Sequence, residues 1–333
     1  VTDKLPTYKD IEQAALRIRG RAILTPLLEN VQLNQQVGGR VFIKAECLQR
    51  TGSFKFRGAW NCISQLDPQI NKAGVVAYSS GNHAQGVAAA AQLMGLPALI
   101  VMPEDTPEIK KANTKSYGAE VVTYDRARES REEIANHQAQ RRGAVLVPPF
   151  EHFDIIAGQG TCGLEIAAQT TAQGIVLDHM LVNCSGGGLL AGIALALSEN
   201  SPATRVHPVE PQGFDDYGRS LKSGKREKNE KSSGSICDAL LTPAPGEMTF
   251  AMNKGRVGDG YAVSDAETEQ AVRYAFDVLK LVIEPGGAVG LAAVLSGKID
   301  VRCKCIGIIA SGGNVDPASF ARILVEAPQE GSK

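Results

Sequence analysis

The chain has little that would staple it, anchor it or draw it to a polyanion. Its seven cysteines are an odd number, scattered singly except for Cys303 and Cys305. That excludes a complete disulfide framework and matches no zinc spacing, so the thiols read as free and mostly buried. Lys and Arg total 35 against 36 Asp and Glu, and the positive residues are dispersed, so nothing asks for nucleic acid or an anionic membrane. The basic run KSGKREKNEK at 222–231 is interleaved with acids and reads as a mobile surface loop. No apolar stretch reaches the ~20 residues that span a bilayer. The N-terminal VTDKLPTYKD lacks the basic and apolar regions of a signal peptide, so the expected compartment is the cytoplasm.

What is present is a composition 43% hydrophobic over 333 residues, enough for a large core in one large domain or two smaller ones. Strand-like runs alternate with helix-like segments almost throughout, which predicts an α/β fold with mainly parallel sheets. The opening TYKDIEQAALRIRG carries a Thr7–Asp10 capping pattern, places Ile11, Ala15 and Ile18 on one face and stops at Gly20. From 74 to 147 the pattern cycles quickly through GVVAYSS, PALIVMP, AEVVTYD and AVLVPP with helices between, as in a four-stranded unit. A second set follows Phe150, including HMLVNCS, LLAGIALALSE, RVHPVE, a Ser-x-x-Glu capping box at 264 and CIGIIAS, while RVFIKAE precedes 74. The expected organisation is a large lobe from 1–73 and 149–333 with a smaller α/β lobe, 74–148, inserted. A ligand belongs in the crevice at the strand C-termini.

Four strand-end loops could hold one. In NCSGGGLLAG, 183–192, glycines follow a strand and open a helix, the arrangement that presents backbone N–H groups to an anion such as phosphate. Gly186, Gly188 and Ala191 also satisfy a dinucleotide G-x-G-x-x-A spacing, with Glu210 ending the next strand, so a nicotinamide enzyme stays open on these residues alone. In YSSGNHAQG, 78–86, Ser79, Ser80, Gly81 and Asn82 offer groups suited to a carboxylate, or Ser80 or Asn82 simply caps the helix; His83 reads as structural rather than catalytic. IASGGNVD, 309–316, delivers Ser311 at a strand end. VEPQGFDDYG, 209–218, offers Glu210 and Asp216 as hard donors for Mg²⁺, Mn²⁺ or Ca²⁺.

SFKFRGA, SSGNHAQG, AGQGT, SGGGLLAG, IEPGGAVG and SGGNVD occur in one order across most of the chain. Together they resemble the fold-type II pyridoxal-phosphate enzymes, specifically the serine/threonine ammonia-lyase (dehydratase) and serine racemase group. The resemblance implies a two-lobed fold like the tryptophan synthase β chain, pyridoxal 5'-phosphate as cofactor and a homodimer. It implies that Lys55 holds the cofactor as a Schiff base, which suits a lysine whose pKa is lowered by desolvation. Phe54 then covers one ring face, Asn82 lies beside the cofactor, Gly186, Gly187, Gly188 and Leu189 take the phosphate, and Ser311 faces the pyridine nitrogen as a neutral partner. The substrate carboxylate falls to Ser79, Ser80, Gly81, Asn82 and His83.

A neutral nitrogen partner makes a weaker electron sink and suits prompt β-elimination. The first expectation is therefore β-elimination of the hydroxyl from a β-hydroxy-α-amino acid such as L-serine or L-threonine, whose enamine product is hydrolysed to a 2-oxo acid and ammonia, with Lys55 as the base. Serine racemase is the second reading, because Ser80 matches the serine that serves as acid/base on the opposite face of Cα. Arg131 could pair with a second carboxylate and favour 3-hydroxyaspartate, whereas Tyr78 and Phe150 could accommodate an aryl-serine. A β-replacement transferase ranks lower and an NAD-dependent oxidoreductase lowest. The family's cation site maps onto Glu210, Asp216 and the Phe214 carbonyl. Three positions depart from the group's pattern: Ser185 in place of a first loop glycine, Phe150 in place of an asparagine, and Ala239 in place of a glycine.

Overall fold

In the computed structural model, which describes residues 4–79, 81–106, 108–125 and 128–326, the strands are β1 (Leu27–Glu29), β2 (Arg40–Lys44), β3 (Val75–Tyr78), β4 (Ala98–Pro103), β5 (Glu120–Tyr124), β6 (Val145–Leu146), β7 (His179–Asn183), β8 (Arg205–Pro211), β9 (Tyr261–Val263) and β10 (Cys305–Ile309). They form a six-stranded sheet in the order β1-β2-β10-β7-β8-β9 and a four-stranded sheet in the order β5-β4-β3-β6. Among the described residues the β1–β2 pair alone is antiparallel; the other pairs are parallel. The α/β architecture with parallel-rich sheets is thus the one expected. Parallel strands are covered on both faces, and β4, buried at every position, shows why ALIVMP reads as a continuous apolar run instead of an alternation.

The first helix, Tyr8–Ile18, begins with the expected Thr7–Asp10 capping box. Its buried stripe is Ile11, Ala14 and Ile18, not Ala15: both sets step by three and four residues, but at about 100° per residue Ala14 and Ile18 turn to one side of Ile11, toward the core, and Ala15 to the other. The capping box at Ser264 starts the helix Asp265–Tyr274, where Ser264 Oγ accepts from Glu267 N–H at 3.2 Å and Glu267 Oε2 accepts from Ser264 N–H at 2.7 Å. The basic run at 222–231 is tied down, unlike the loose loop expected: Arg226 pairs with Glu247 at 2.6 Å, and Asn229 donates to Asp216 Oδ1 at 2.5 Å and to the Thr242 carbonyl at 3.0 Å. All seven cysteines are free and five are buried. Among the described residues no helix is long and apolar enough to cross a membrane.

The helix Lys55–Ile63 packs between the helix Asn82–Met94, which covers the smaller sheet, and the long helix Phe153–Ala172. Glycine makes the second contact possible: a Cβ on Gly158 would fall 2.6 Å from Gly58 Cα. The same helix is pinned by charge. Arg57 donates from Nε and Nη2 to both oxygens of Glu46 at 2.7 and 2.8 Å, and from Nη1 and Nη2 to both oxygens of Glu165 at 2.6 and 2.7 Å. Lys44 donates to Glu165 at 2.6 Å and to the Thr25 carbonyl at 2.7 Å. Burial alone would push the Glu46 carboxyl up, but Arg57 outweighs it and holds Glu46 below its ordinary range.

Every charge in this cluster has a partner, and removing one leaves the others buried without compensation. Arg57→Ala is accordingly expected to cost about 3–5 kcal/mol of stability, read as a lowered urea midpoint at unchanged slope.

Candidate active site

The cleft opens where the C-terminal ends of both sheets meet, around a cavity of about 260 Å³ whose lining includes Lys55, Asn82, Gly187, Arg131, Glu284 and Ser311. Lys55 starts its helix immediately after a backbone bridge between Ser53 and Gly312. Its Nζ donates to the Pro149 carbonyl at 2.8 Å and stands 5.2 Å from the centre of the Phe54 ring. Burial pulls the amine down to about 8, against the opposing influence of Glu284. A lysine so placed supplies a neutral amine near physiological pH, as imine formation and proton abstraction require.

Opposite it, Gly186–Gly188 open the helix Gly188–Asn200, with Gly187 as the N-cap at φ 93°. This is a cradle in which side chains have no room: a Cβ on Gly186 would meet the Phe150 ring at 2.5 Å, and one on Gly187 the Tyr217 ring at 2.4 Å. Leu189 follows, buried. Bare N–H groups at a helix N-terminus suit a phosphate. The dinucleotide alternative fails on Glu210, which does not reach the cleft. Its oxygens accept the N–H groups of Tyr217 and Gly218 at 3.0 and 2.8 Å, so it cannot take a ribose hydroxyl there.

Ser311 is buried at the end of β10, its Oγ accepting from Asn183 Nδ2 at 3.1 Å, so a neutral hydroxyl faces the cavity. With the cradle, the desolvated amine and this hydroxyl around one cavity, the residues fit pyridoxal phosphate, each matching one of its polar groups.

The loop at 79–83 departs in part from expectation. Gly81 is the N-cap of the helix Asn82–Met94, so Asn82 is not the cap, and among the described residues no side chain caps it. Instead Asn82 Nδ2 donates to Glu284 Oε1 at 2.5 Å, and its Oδ1 accepts from Asn314 at 2.8 Å. The uncapped first turn leaves N–H groups for an anion, and the Ser79 hydroxyl accepts from Gly81 N–H at 3.2 Å. His83 Nε2 donates to the Val147 carbonyl at 2.9 Å while Nδ1 is buried without a partner. Burial first, then Lys55, lowers His83 to about 3, so it is neutral and structural. Ser80 lies outside the described residues.

Glu284 belongs to the motif IEPGGAVG, yet spacing alone gives it no role. It is the N-cap of the helix Pro285–Leu295, buried in the cavity wall. Burial, then Asp238, raises its carboxyl to about 7. An acid set before proline in an otherwise apolar and glycine-rich run is the one signal the sequence offers for it.

At the departing positions, Ser185 Oγ accepts from Thr242 N–H at 3.0 Å and so anchors the neighbouring loop, Phe150 packs on the cradle, and Ala239 lies against Gly286. Arg131 stands at the cavity wall, 5.5 Å over the Tyr78 ring and 2.8 Å from Glu132.

Away from the cleft, Glu210 and Asp216 are both fully buried. Burial, then Asp216, pushes Glu210 up well beyond its usual range, and burial lifts Asp216 to about 6. Among the described residues Asp216 Oδ2 has no partner. Phe214, between them in the chain, is also buried. Two buried acids with an orphaned oxygen fit a hard divalent cation. Asn229 joins them on Asp216 from the basic loop thirteen residues on, where no local pattern marks it as part of this cluster.

The amine's environment has a measurable signature. In cofactor-free protein the rate at which Lys55 captures an aldehyde should rise with pH through about 8, as the neutral fraction grows. Glu284 favours the charged amine, so Glu284→Gln should move that profile to lower pH; a profile that stays in place contradicts the assignment.

The family described as pyridoxal-phosphate dependent enzyme matches residues 18–312. An L-threo-3-hydroxyaspartate ammonia-lyase of a Pseudomonas species is 44% identical over 321 residues, 96% of this chain and 99% of that protein. A serine racemase of Schizosaccharomyces pombe is 40% identical, covering 96% of this chain and 98% of that one. The solved T.th. threonine deaminase superposes with a TM-score of 0.88 at 43% identity, covering 93% of this chain and 99% of the other. On the match of nearly the whole chain and on the cleft that carries it, the protein belongs to the pyridoxal-phosphate dependent enzyme family.

Proposed function

We propose that the protein is a pyridoxal-phosphate-dependent ammonia-lyase that removes the β-hydroxyl and the amino group from a β-hydroxy-α-amino acid, releasing a 2-oxo acid and ammonia. The observation that carries this reading is the desolvated Lys55 amine in a cleft that also holds an N–H cradle and the neutral Ser311 hydroxyl. When bound, the cofactor supplies an electron sink for the charge that develops at the substrate Cα.

The chain's own residues do the rest. Gly186–Gly188 and the helix they open would hold the phosphate, and Phe54 and Ser311 would flank the ring. Asn82, Ser79 and the turn at Gly81 would orient the α-carboxylate. The Lys55 amine would take the Cα proton and hold it. With Phe54 and the Pro149 carbonyl around it, the amine stays poorly hydrated, which keeps its pKa near that task.

Two features set the substrate reading. Arg131 is a cation at the cavity wall, and a hydroxyaspartate ammonia-lyase is among the near relatives. Both support 3-hydroxyaspartate, whose second carboxylate the guanidinium would bind, with L-serine and L-threonine as smaller substrates of the same reaction. Tyr78 lies under Arg131, an arrangement that serves a charge better than an aryl-serine. Serine racemisation is the second reading, supported by the identity of Ser80 and by the racemase relative.

We also take 1–73 with 149–333 and 74–148 as the two lobes, in line with the strands each sheet uses. A homodimer is supported by exposed Leu24 and Leu48, which flank the segment where Gln49 bonds the Ile23 backbone. A divalent cation at Glu210, Asp216 and the Phe214 carbonyl completes the proposal.

The test is a panel of β-hydroxy amino acids assayed for 2-oxo-acid release. 3-Hydroxyaspartate should be the best substrate, and Arg131→Met should lower its kcat/KM about 10- to 150-fold, the equivalent of one charged hydrogen bond, while L-serine changes little. Equal losses on both substrates would count against Arg131 as the β-carboxylate site. Ser80→Ala should abolish any D-serine formed from L-serine and leave keto-acid release. Mg²⁺ should raise the melting temperature of the wild type, and Glu210→Gln should remove that increment.

A further inference from the structure

Cys62, His152 and Asp154 share no metal-binding spacing in the sequence, yet their ligand atoms lie within 4.8 Å of one another. Cys62 sits in the last turn of the helix that Lys55 begins. His152 is the N-cap of the helix Phe153–Ala172, and Asp154 lies in that helix's first turn. The junction is well held: the Asp154 carbonyl accepts from Asn61 Nδ2 at 2.7 Å, and its Oδ1 accepts from Gln65 Nε2 at 2.8 Å. Oδ2 is left facing His152, 4.0 Å from Nδ1. Cys62 is buried, while His152 and Asp154 keep part of their surface in water, so an ion has a way in.

The chemistry favours a borderline metal over a hard one. A set of one sulfur, one imidazole nitrogen and one carboxylate oxygen is that of zinc or its cobalt surrogate, with water as the fourth ligand. Zinc–ligand lengths of about 2.0–2.3 Å put tetrahedral ligand atoms roughly 3.3–3.8 Å apart. Side-chain rotations of about an ångström would therefore close the three onto one ion. We propose that Cys62, His152 and Asp154 form a Zn²⁺-binding site that ties the end of the Lys55 helix to the start of the helix Phe153–Ala172.

One further fact agrees. His152 Nδ1 accepts from the Asp154 N–H at 3.2 Å, so that nitrogen is the one without a proton. Against it, burial and then Asp154 push the Cys62 thiol up to about 12, so binding must displace its proton at a cost in affinity that falls as pH rises.

The test uses the holoenzyme with Mg²⁺ in excess to saturate the oxygen-donor site at Glu210 and Asp216. Titration with Co²⁺ should give the intense visible d–d bands of a tetrahedral site with a thiolate ligand, at red wavelengths clear of the cofactor. Equilibrium dialysis should find one Zn²⁺ per chain. Cys62→Ser and His152→Ala should each weaken Zn²⁺ binding by more than the roughly 10-fold that loss of a ligand's hydrogen-bond partner costs. Cys303→Ser, which alters the exposed cysteine, should leave it unchanged. Weak octahedral bands in the wild type, or Zn²⁺ affinity untouched in Cys62→Ser, would overturn the assignment. The wild-type spectrum decides the matter even where a variant folds poorly.

Discussion

Arg57 is the fixed point from which the cleft is built. Its guanidinium lies between Glu46 and Glu165, with Lys44 on the far side of Glu165, and it belongs to the same helical turn as Lys55. Buried charges of this kind add little net stability compared with apolar packing, but they admit one arrangement only, since any slip strands an ion in a poor dielectric. The glycine contact between Gly58 and Gly158 acts in the same direction by letting two helices approach to backbone distance. The start of the Lys55 helix is therefore held on a rigid element and not on a loop.

Against that fully paired cluster stand acids that, among the described residues, have no cation bonded to them. Glu284 faces the cavity with Asn82 as its short partner, and Glu210 with Asp216 form a buried pair of acids with an oxygen left over. Proteins retain such groups where a ligand or a proton completes them. The contrast is one of pairing: Arg57 neutralises the acids that hold the helix, whereas among the described residues Glu284, Glu210 and Asp216 have no such cation. His83, in the loop at 79–83, is a neutral ring engaged with Val147 on one side.

The glycine cradle and the buried acid pair are also physically joined. Tyr217 gives its N–H to Glu210 at 3.0 Å, while its ring fills the space under Gly187 and its hydroxyl accepts from Asn253 at 2.7 Å. Phe150 closes the other side of the cradle. Both aromatic side chains make the glycines obligatory, because any Cβ would collide with a ring held by its own packing.

Much of this is legible in one dimension. Alternation of apolar runs and capped helices announces parallel α/β sheets, since strands covered on both faces must be apolar throughout. Glycine-rich strand ends announce the loops, and the order of six short motifs announces the family and its cofactor. These features are local, governed by period, capping and backbone freedom within a few residues. What the sequence could not rank is which polar groups meet after folding. Glu284 reaches Asn82 across 202 positions, Asn229 reaches Asp216 across 13, Glu210 turns from the cleft toward Tyr217, and Cys62 comes beside His152. The tertiary structure alone decided those pairings, because they are fixed by how helices dock and which charges burial leaves without water, and neither quantity has a local trace.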